Sequence, residues 1–335
     1  MHTGGGLVLL LEILKNLQSD DLAAAWLDIR ARDKYEHLLD KNVTVYWVKP
    51  SFKSRIFSEW TLFKAGSHMN YLLCFHSLPP LFRNQSFTIV FHQNRNYFEK
   101  LSKFNFIFRT KIRIYGEKLI GRIFRKNIDK YFVQTQSMAD ALKTWWGNSD
   151  MPQINILGFS PIVKITDVKE IKYDFIYVAD GEAHKNHRNL VDAWILLSKE
   201  NFYPSLALTL ANTKNFELLN FIRFAIVKHK LNIFLLPSMS HSNLISQYSM
   251  SSALVFPSLF ESYGLPLIEA QELKLPILAS ELDYVRDVCE PVETFDPLSP
   301  RSISRAILRF MKVLTKTSPI STTSEFLKKI IEKNE

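Results

Sequence analysis

Short apolar runs alternate with amphipathic segments along most of the chain. Runs of four to seven apolar, β-branched or aromatic residues recur at eleven places and predict strands. Five of them lie before residue 160 and six lie after residue 172. The predicted strands are Val43–Lys49, Asn70–Phe75, Phe87–His92, Lys130–Thr135, Gln153–Leu157, Tyr173–Ala179, Leu206–Ala211, Asn232–Leu236, Ala253–Pro257, Pro276–Ser280 and Val292–Phe295.

Segments with helical spacing separate most of these runs, among them Met138–Trp146, Asn189–Lys199 and Glu217–Lys230. Strands that alternate with helices indicate parallel sheets covered on both faces. The stretch Gly158–Lys172 has no clear period and predicts a boundary. We therefore expect an α/β fold with two doubly wound Rossmann-like domains that face a central cleft. The predicted domains are residues 1–160 and 161–300, followed by C-terminal helices in 301–335 that can cross back to the first domain.

Composition excludes several classes of protein. The chain has 335 residues, of which 47% are hydrophobic and 22% charged, an ordinary globular mixture. Only 10 glycines and 2 cysteines are present, which excludes collagen-like and disulfide-scaffold proteins. Two widely separated cysteines indicate buried thiols in a reducing compartment. The longest apolar run, Leu7–Leu14, contains Glu12 and lacks a signal peptide's basic start, so we expect a cytoplasmic protein.

The positive charge is concentrated in the N-terminal half. Residues 1–165 hold 23 Lys and Arg against 13 Asp and Glu, whereas the remainder is almost neutral. Eleven of these basic residues lie between Arg95 and Lys130, interleaved with aromatic residues. Such a surface fits an anionic membrane or nucleic acid. No helix-turn-helix, zinc-finger or RNP signature is present, so we do not expect a nucleic-acid partner.

The stretch Arg109–Lys126 has the periodicity of an amphipathic helix. Its apolar positions Ile112, Tyr115, Leu119 and Ile123 share one face. A second face carries the predicted membrane patch, which consists of Lys111, Lys118, Arg122 and Arg125. A helix with a solvated basic side is the simpler interpretation. The alternative is contact with anionic lipid headgroups, which would make the protein peripheral on the inner face of the cytoplasmic membrane.

The most informative pattern is the segment from Phe256 to Ala270. A buried strand leads into a loop containing Glu261, and Pro266 suits the first turn of a helix that carries Glu269. The amides of Tyr263, Gly264 and Leu265 lie at the helix N-terminus, which favours a bound anion. Two carboxylates and a positive helix end fit the hydroxyls and phosphates of a nucleotide sugar. The alternative is structural, with Glu261 capping the helix and Glu269 interacting favourably with its dipole.

The spacing of Glu261 and Glu269 resembles the E-x(7)-E signature of retaining glycosyltransferases of family 4, which have the GT-B fold. The resemblance continues at Leu275–Ser280 and at the predicted strand Phe175–Ala179 with the following His184, Lys185 and Asn186. In the N-terminal half, Ile89–His92 resembles the strand that ends in a histidine facing the donor sugar. The residues Thr3, Gly4, Gly5 and Gly6 resemble the glycine-rich loop that opens the first helix.

The resemblance implies a role for each of these residues. Glu269 would bind the ribose of the donor, Glu261 would contact the transferred sugar, and Lys185 would neutralise the leaving diphosphate. His92 would bond a sugar hydroxyl or the reacting centre. The predicted catalytic residues are therefore Glu261, His92 and Lys185. The predicted donor-binding residues are Gly5, Gly6, His184, Tyr263, Gly264, Leu265 and Glu269. No cofactor and no metal ion are expected, and the chain contains no D-x-D triplet.

The resemblance thus predicts a retaining, metal-independent transferase that moves a sugar to a saccharide or lipid-linked acceptor in surface polysaccharide or lipopolysaccharide O-antigen synthesis. The chain departs from the family in three places. Lys274 or Leu275 stands where glycine is common, and the basic companion of Lys185 is replaced by His184 or lies elsewhere. The given sequence starts at the glycine loop, before which the family has a strand, so either the start is truncated or the sheet lacks its first strand. Two alternatives remain open: a related sugar-nucleotide epimerase, and a non-catalytic basic module that binds membrane or nucleic acid.

Overall fold

A computed structural model describes residues 5–16, 23–38, 43–65, 70–83, 85–98, 108–147, 151–161, 170–210 and 215–313. Three features predicted from the sequence lie outside these residues. They are Thr3 and Gly4 of the glycine loop, residues 99–107 of the basic segment between Arg95 and Lys130, which include the aromatic residues Phe104 and Phe106, and residues 314–335 of the predicted C-terminal helices.

The strands described before residue 160 form two parallel sheets. One sheet pairs β1 with β2, and the other has the order β3-β4-β5-β6. The strands are β1 Ala23–Asp28, β2 Val43–Val48, β3 Tyr71–Cys74, β4 Phe87–His92, β5 Lys130–Val133 and β6 Gln153–Ile156. The α-helices are α1 Gly5–Lys15, α2 Arg32–Tyr35, α3 Phe52–Ala65, α4 Phe108–Ile123 and α5 Gln136–Trp146.

Helix α1 packs against both of these sheets. Leu7 and Leu11 cluster with Ala31 and Trp47 beside the two-stranded sheet. Leu9, on another side of the helix, clusters with Phe75 and Phe91 beside the four-stranded sheet. The leucine-rich sequence of α1 therefore joins the two sheets through apolar contacts on two sides.

The second half of the chain folds around one six-stranded parallel sheet with the order β12-β11-β10-β7-β8-β9. This is the order of a Rossmann domain, in which ligands bind beyond the carboxyl ends of the two central strands, here β7 and β10. The strands are β7 Tyr173–Tyr177, β8 Leu206–Leu208, β9 Ile233–Leu235, β10 Ser251–Phe256, β11 Ile277–Ser280 and β12 Glu293–Phe295. The helices are α6 His187–Lys199, α7 Phe216–His229, α8 His241–Ser249, α9 Leu265–Glu272, α10 Asp283–Arg286 and α11 Pro300–Phe310.

The core of this second domain is continuous from one side of the sheet to the other. Trp194 of α6 packs edge-on against Phe175, with the ring centres 5.8 Å apart, and Phe310 of α11 packs on the same ring. Helix α11 thus belongs to the second domain. The residues that could cross back to the first domain lie outside those described.

Each of the eleven predicted strands overlaps a strand of the structure, whereas β1 and α3 were not predicted. The glycine-rich loop requires a correction. Helix α1 begins at Gly5, so Gly5 and Gly6 form its first turn and do not belong to a preceding loop. Apolar residues from Leu7 onward pack on both neighbouring sheets, and this packing favours helix despite the low helix propensity of glycine.

Candidate active site

Lys185 and Glu261 meet where the two central strands of the second sheet end. Lys185 follows β7 and Glu261 follows β10, so both lie at the position where such sheets bind ligands. The Nζ atom of Lys185 donates to both carboxylate oxygens of Glu261, at 2.8 and 3.0 Å. Both side chains are largely buried, with 18% and 11% of their surfaces exposed.

Hydrogen bonds fix the two loops that carry this pair. The Ser258 hydroxyl donates to Glu261 Oε1 at 2.7 Å, and the Tyr177 hydroxyl donates to the Lys185 carbonyl at 2.7 Å. The Leu259 amide donates to the His184 carbonyl at 2.8 Å, which ties one loop directly to the other. The site is therefore preorganised, since its groups are held by neighbours that are themselves buried.

The charge of Lys185 is maintained by the acids around it. Burial alone would lower its pKa, but Glu261 and Asp180 outweigh burial and raise the pKa above the usual lysine value. Lys185 is therefore a positive charge held in a partly dry site, where its attraction for a phosphate is stronger than in water.

Glu269 lies on α9 and has two partners on α8. Its Oε1 atom is 2.8 Å from His241 Nε2, and its Oε2 accepts from the Tyr248 hydroxyl at 2.9 Å. Only 5% of Glu269 is exposed. It is the fifth residue of α9 and so lies next to the first turn of the helix. The structural alternative for Glu261 is not supported, because α9 has no side-chain cap and Glu261 bonds Lys185 instead.

The sequence analysis missed Ser258, His241 and Tyr248. Ser258 lies inside the motif, three residues before Glu261. His241 and Tyr248 are seven residues apart on α8 and so share one face of that helix. This spacing predicts that the two side chains lie together, but it does not predict that they face α9.

The two predicted histidines are buried and neutral. His92 ends β4, and burial lowers its pKa to about 3. Its Nδ1 atom is buried and has no hydrogen-bond partner within the described residues. Burial and the adjacent Lys185 charge lower the pKa of His184, so His184 does not supply the second positive charge expected beside Lys185.

The first domain contacts the loop that joins Glu261 to α9. The Arg95 amide donates to Ser262 Oγ at 2.9 Å. A Cβ atom added to Gly158 would lie 2.5 Å from the Tyr263 hydroxyl oxygen, and one added to Gly5 would lie 2.7 Å from Leu265 Cδ1. These two glycines thus let the backbone of the first domain approach Tyr263 and Leu265.

Gly264 and Leu265 form the start of α9. Gly264 precedes the helix in a left-handed conformation with φ of 74°, which glycine adopts without the strain of a side chain. Leu265 is the first residue of the helix, as predicted. The loop from Glu261 to Leu265 is thus held between the two domains.

The structure places the apolar and basic residues of α4, and it corrects the position of Arg125. Its apolar face is exposed: Ile112, Tyr115, Leu119 and Ile123 are 57%, 68%, 51% and 59% exposed, and Ile114, on another face, is buried instead. The helix ends at Ile123, so Arg125 lies in the following turn, where its Nη1 donates to the Trp146 carbonyl at 3.3 Å. Arg125 therefore does not share a face with Lys118 and Arg122. The side chain of Lys111 is outside the described part of the structure.

Two other features are absent from the residues that the structure describes. Among them, no group of three or more His, Cys, Asp or Glu side chains converges as a metal site requires. No helix in the described ranges combines the length and the apolar character needed to cross a membrane. Independence from metal remains a prediction for an activity assay.

Comparison with known proteins agrees with this architecture. Residues 160–317 match the family model of glycosyl transferases group 1. The Anabaena protein Alr3699/HepE in complex with UDP-glucose superimposes with a TM-score of 0.68 at 12% identity, over 92% of this chain and 87% of that one. The chain has the GT-B fold. This confirms the fold class expected from the sequence.

Two further matches are to a galactosyltransferase and a mannosyltransferase. The lipopolysaccharide outer core galactosyltransferase WaaB superimposes with a TM-score of 0.57 at 12% identity, over 93% of this chain and 88% of WaaB. The serotype-specific mannosyltransferase WbdA of Escherichia coli is 34% identical over 76 residues, which are 22% of this chain. That match spans 9% of the length of WbdA.

Proposed function

We propose that the protein is a glycosyltransferase that moves a sugar from a nucleotide sugar to a saccharide acceptor. The observation that carries the proposal is the Lys185–Glu261 pair at the carboxyl ends of β7 and β10. It lies within the segment that matches glycosyl transferases group 1. A positive charge and a carboxylate held at this position suit a substrate that carries both phosphates and hydroxyls.

Each site residue has a part in this reaction. Lys185 stabilises the negative charge that develops on the leaving diphosphate. Glu261 accepts a hydrogen bond from the transferred sugar and stabilises positive charge at its anomeric carbon. Glu269 binds the ribose hydroxyls, exchanging one of its two present partners for the ligand. Neutral His92 offers its unpartnered Nδ1 atom to a sugar hydroxyl.

The proposed chemistry retains the anomeric configuration. The acceptor oxygen forms a bond to the anomeric carbon on the face from which the diphosphate departs. The acceptor proton passes to an oxygen of the leaving phosphate, which yields a glycoside and a nucleoside diphosphate. No carboxylate nucleophile takes part, in contrast to retaining glycosidases.

The product distinguishes this mechanism from its alternatives. We expect an NMR spectrum in which the new glycosidic bond has the donor's anomeric configuration, and activity that survives excess EDTA. An inverted product would contradict the retaining mechanism, and loss of activity in EDTA would contradict metal independence. Conversion of the donor into its epimer, with no acceptor needed, would identify an epimerase instead.

The similarity to WbdA and WaaB favours a bacterial surface polysaccharide as the product. WbdA is a serotype-specific mannosyltransferase and WaaB a lipopolysaccharide outer core galactosyltransferase. We therefore propose a cytoplasmic enzyme that uses a glycan or a lipid-linked saccharide as acceptor, in lipopolysaccharide or related polysaccharide synthesis. The first donors to test are GDP-mannose, UDP-glucose and UDP-galactose.

Helix α4 gives this enzyme a surface suited to an anionic membrane. At about 100° per residue, Tyr115 and Leu119 lie on the exposed apolar face, while Lys118 and Arg122 flank one side of it. Arg113 lies toward the opposite side. An exposed apolar stripe bordered by basic residues is the pattern of a helix that lies in the headgroup region of a bilayer.

Helix α3 also carries exposed aromatic residues. Phe57 and Trp60 of α3 are exposed, and Phe63 of the same helix contacts Phe82 with their ring centres 5.9 Å apart. The loop that carries Phe82 is bonded to the residues that follow α4, since Asn127 Nδ2 donates to the Pro80 carbonyl at 2.9 Å. Exposed apolar side chains on two helices that are linked through this loop favour a membrane surface over a solvated one.

Binding to lipid vesicles tests this surface. Replacing Lys118 and Arg122 by Gln should weaken binding to vesicles rich in phosphatidylglycerol by roughly 30-fold, at about 1 kcal/mol for each basic residue. The matched control replaces Arg223 and Lys228, exposed basic residues on α7, and should bind like the wild type. Equal binding by both variants would exclude α4 as the membrane surface.

A further inference from the structure

A cavity of about 520 Å³ lies between α5 of the first domain and α10 of the second. It lies within the range of about 300–1,000 Å³ that small-molecule sites occupy. Its wall includes Arg95, Phe98, Gln136, Asp140, Asp283 and Asp287. We infer that this cavity is a subsite for a neutral sugar ring, and that the sugar it holds belongs to the acceptor, a role that rests on the proposed transferase function.

The cavity adjoins the candidate active site on two sides. The ring of Phe98 lies 4.4 Å, centre to centre, from the ring of His92. The Arg95 guanidinium lies 5.2 Å from the centre of the Phe260 ring, and the Arg95 amide bonds the Ser262 hydroxyl. Phe260 and Ser262 flank Glu261 in the chain. A sugar in the cavity is therefore one side chain away from the residues proposed to hold the donor sugar.

The charges of the cavity favour hydroxyl groups over phosphate. Arg286, which also lines the cavity, is bound by Glu281 and Glu290 at 2.7 and 2.6 Å. Its charge is thereby compensated outside the cavity. Asp140 is likewise paired, with Lys143 at 3.7 Å. Asp283 and Asp287 then outnumber Arg95, so a phosphate would be repelled. Carboxylates accept hydrogen bonds from sugar hydroxyls, and the Gln136 amide can both donate and accept.

Both domains are needed to build the cavity. The Asp287 carboxylate accepts a hydrogen bond from the Ser137 amide at 2.9 Å, which places the residue that follows α10 at the N-terminus of α5. Asp283 of α10 and Asp140 of α5 line the same cavity. Separation of the domains would divide the subsite, so closure that encloses the donor also completes the place for the acceptor.

Binding of simple sugars tests the cavity without any donor. The probes are the methyl α-glycosides of mannose, glucose, galactose and N-acetylglucosamine, each titrated to 50 mM against the whole chain and followed by saturation-transfer NMR. We expect at least one glycoside to bind in the millimolar range. Ala141→Phe, which fills the cavity from α5, should weaken that binding at least tenfold.

A second variant tests the chemistry of the cavity separately from its volume. Asp140→Ala with Asp283→Ala should also weaken binding at least tenfold. The control Asp33→Ala with Glu200→Ala makes the same change in charge at exposed positions outside the cavity and should bind like the wild type. No binding of any glycoside to the wild type, or equal binding by wild type and Ala141→Phe, would overturn the subsite.

Hydrolysis of the donor tests the acceptor role of the cavity separately from the proposed transferase function. Both cavity variants should hydrolyse the donor at rates within twofold of wild type, yet transfer sugar to a glycan at least tenfold more slowly. Normal transfer by the variants would contradict the acceptor role while leaving the transferase standing. A wild type that binds a glycoside in the cavity but cleaves no nucleotide sugar would instead contradict the transferase.

Discussion

The ion pair between Lys185 and Glu261 can be tested by a double-mutant cycle. Lys185→Met removes both hydrogen bonds from Lys185 Nζ and leaves the Glu261 carboxylate with the Ser258 hydroxyl as its remaining partner among the described residues. Loss of one member of a buried pair costs about 3–5 kcal/mol. The two side chains are slightly exposed, which places the expected loss near the lower end, at about 3 kcal/mol.

The double variant should lose much less than the sum of the single variants. Once Lys185→Met is present, Glu261→Gln removes an uncompensated charge and so relieves part of the cost. We expect a coupling energy of about 2 kcal/mol, measured from the free energies of unfolding of the four proteins in urea. Additive losses, with coupling below about 0.5 kcal/mol, would show a pair no stronger than those on protein surfaces and would refute this reasoning.

Two further predictions concern the contacts around the motif. Gly158→Ala should displace Tyr263 and slow sugar transfer at least tenfold. Gly5→Ala should slow transfer less, because its Cβ would meet only the flexible end of a leucine side chain. Steady-state transfer rates equal to wild type for both variants would contradict both contacts. The hydrogen bond to Glu269 raises the pKa of His241 above its usual value. The stabilisation that the protonated His241 gives the folded state is therefore complete below a pH of about 6.5, and it is lost as the pH rises through the raised pKa. The destabilisation caused by His241→Gln in urea should therefore be larger at pH 6 than at pH 9, and the opposite order would contradict the assignment.

Local patterns predicted the parts of the fold that depend on neighbouring residues. The strand β10, the turn at Gly264 and the helix start at Leu265 follow from apolar residues, a glycine and a proline within fifteen positions. The strand β1 was missed because its sequence opens with three alanines, which lack the β-branched or aromatic side chains that predict strands.

Contacts between distant segments were beyond such patterns. Periodicity placed Tyr115 and Leu119 on one face of α4, but only the packing of the first domain shows that this face is uncovered and that Ile114 is buried. The partners of Glu269 lie 21 and 28 residues before it, on another helix. Their identity depends on how α8 packs against α9, which spacing within α8 does not determine.

The central claim is that Glu261 and Lys185 act on a nucleotide sugar. The most direct measurement is release of nucleoside diphosphate from GDP-mannose, UDP-glucose and UDP-galactose, with an oligosaccharide acceptor and with water alone. At least one donor should be cleaved by the wild type. Glu261→Ala should reduce kcat by roughly 10²-fold or more, the effect of losing one transition-state contact. Glu269→Ala should act mainly by raising the KM for the donor. Cleavage at wild-type rates by both variants would contradict the account.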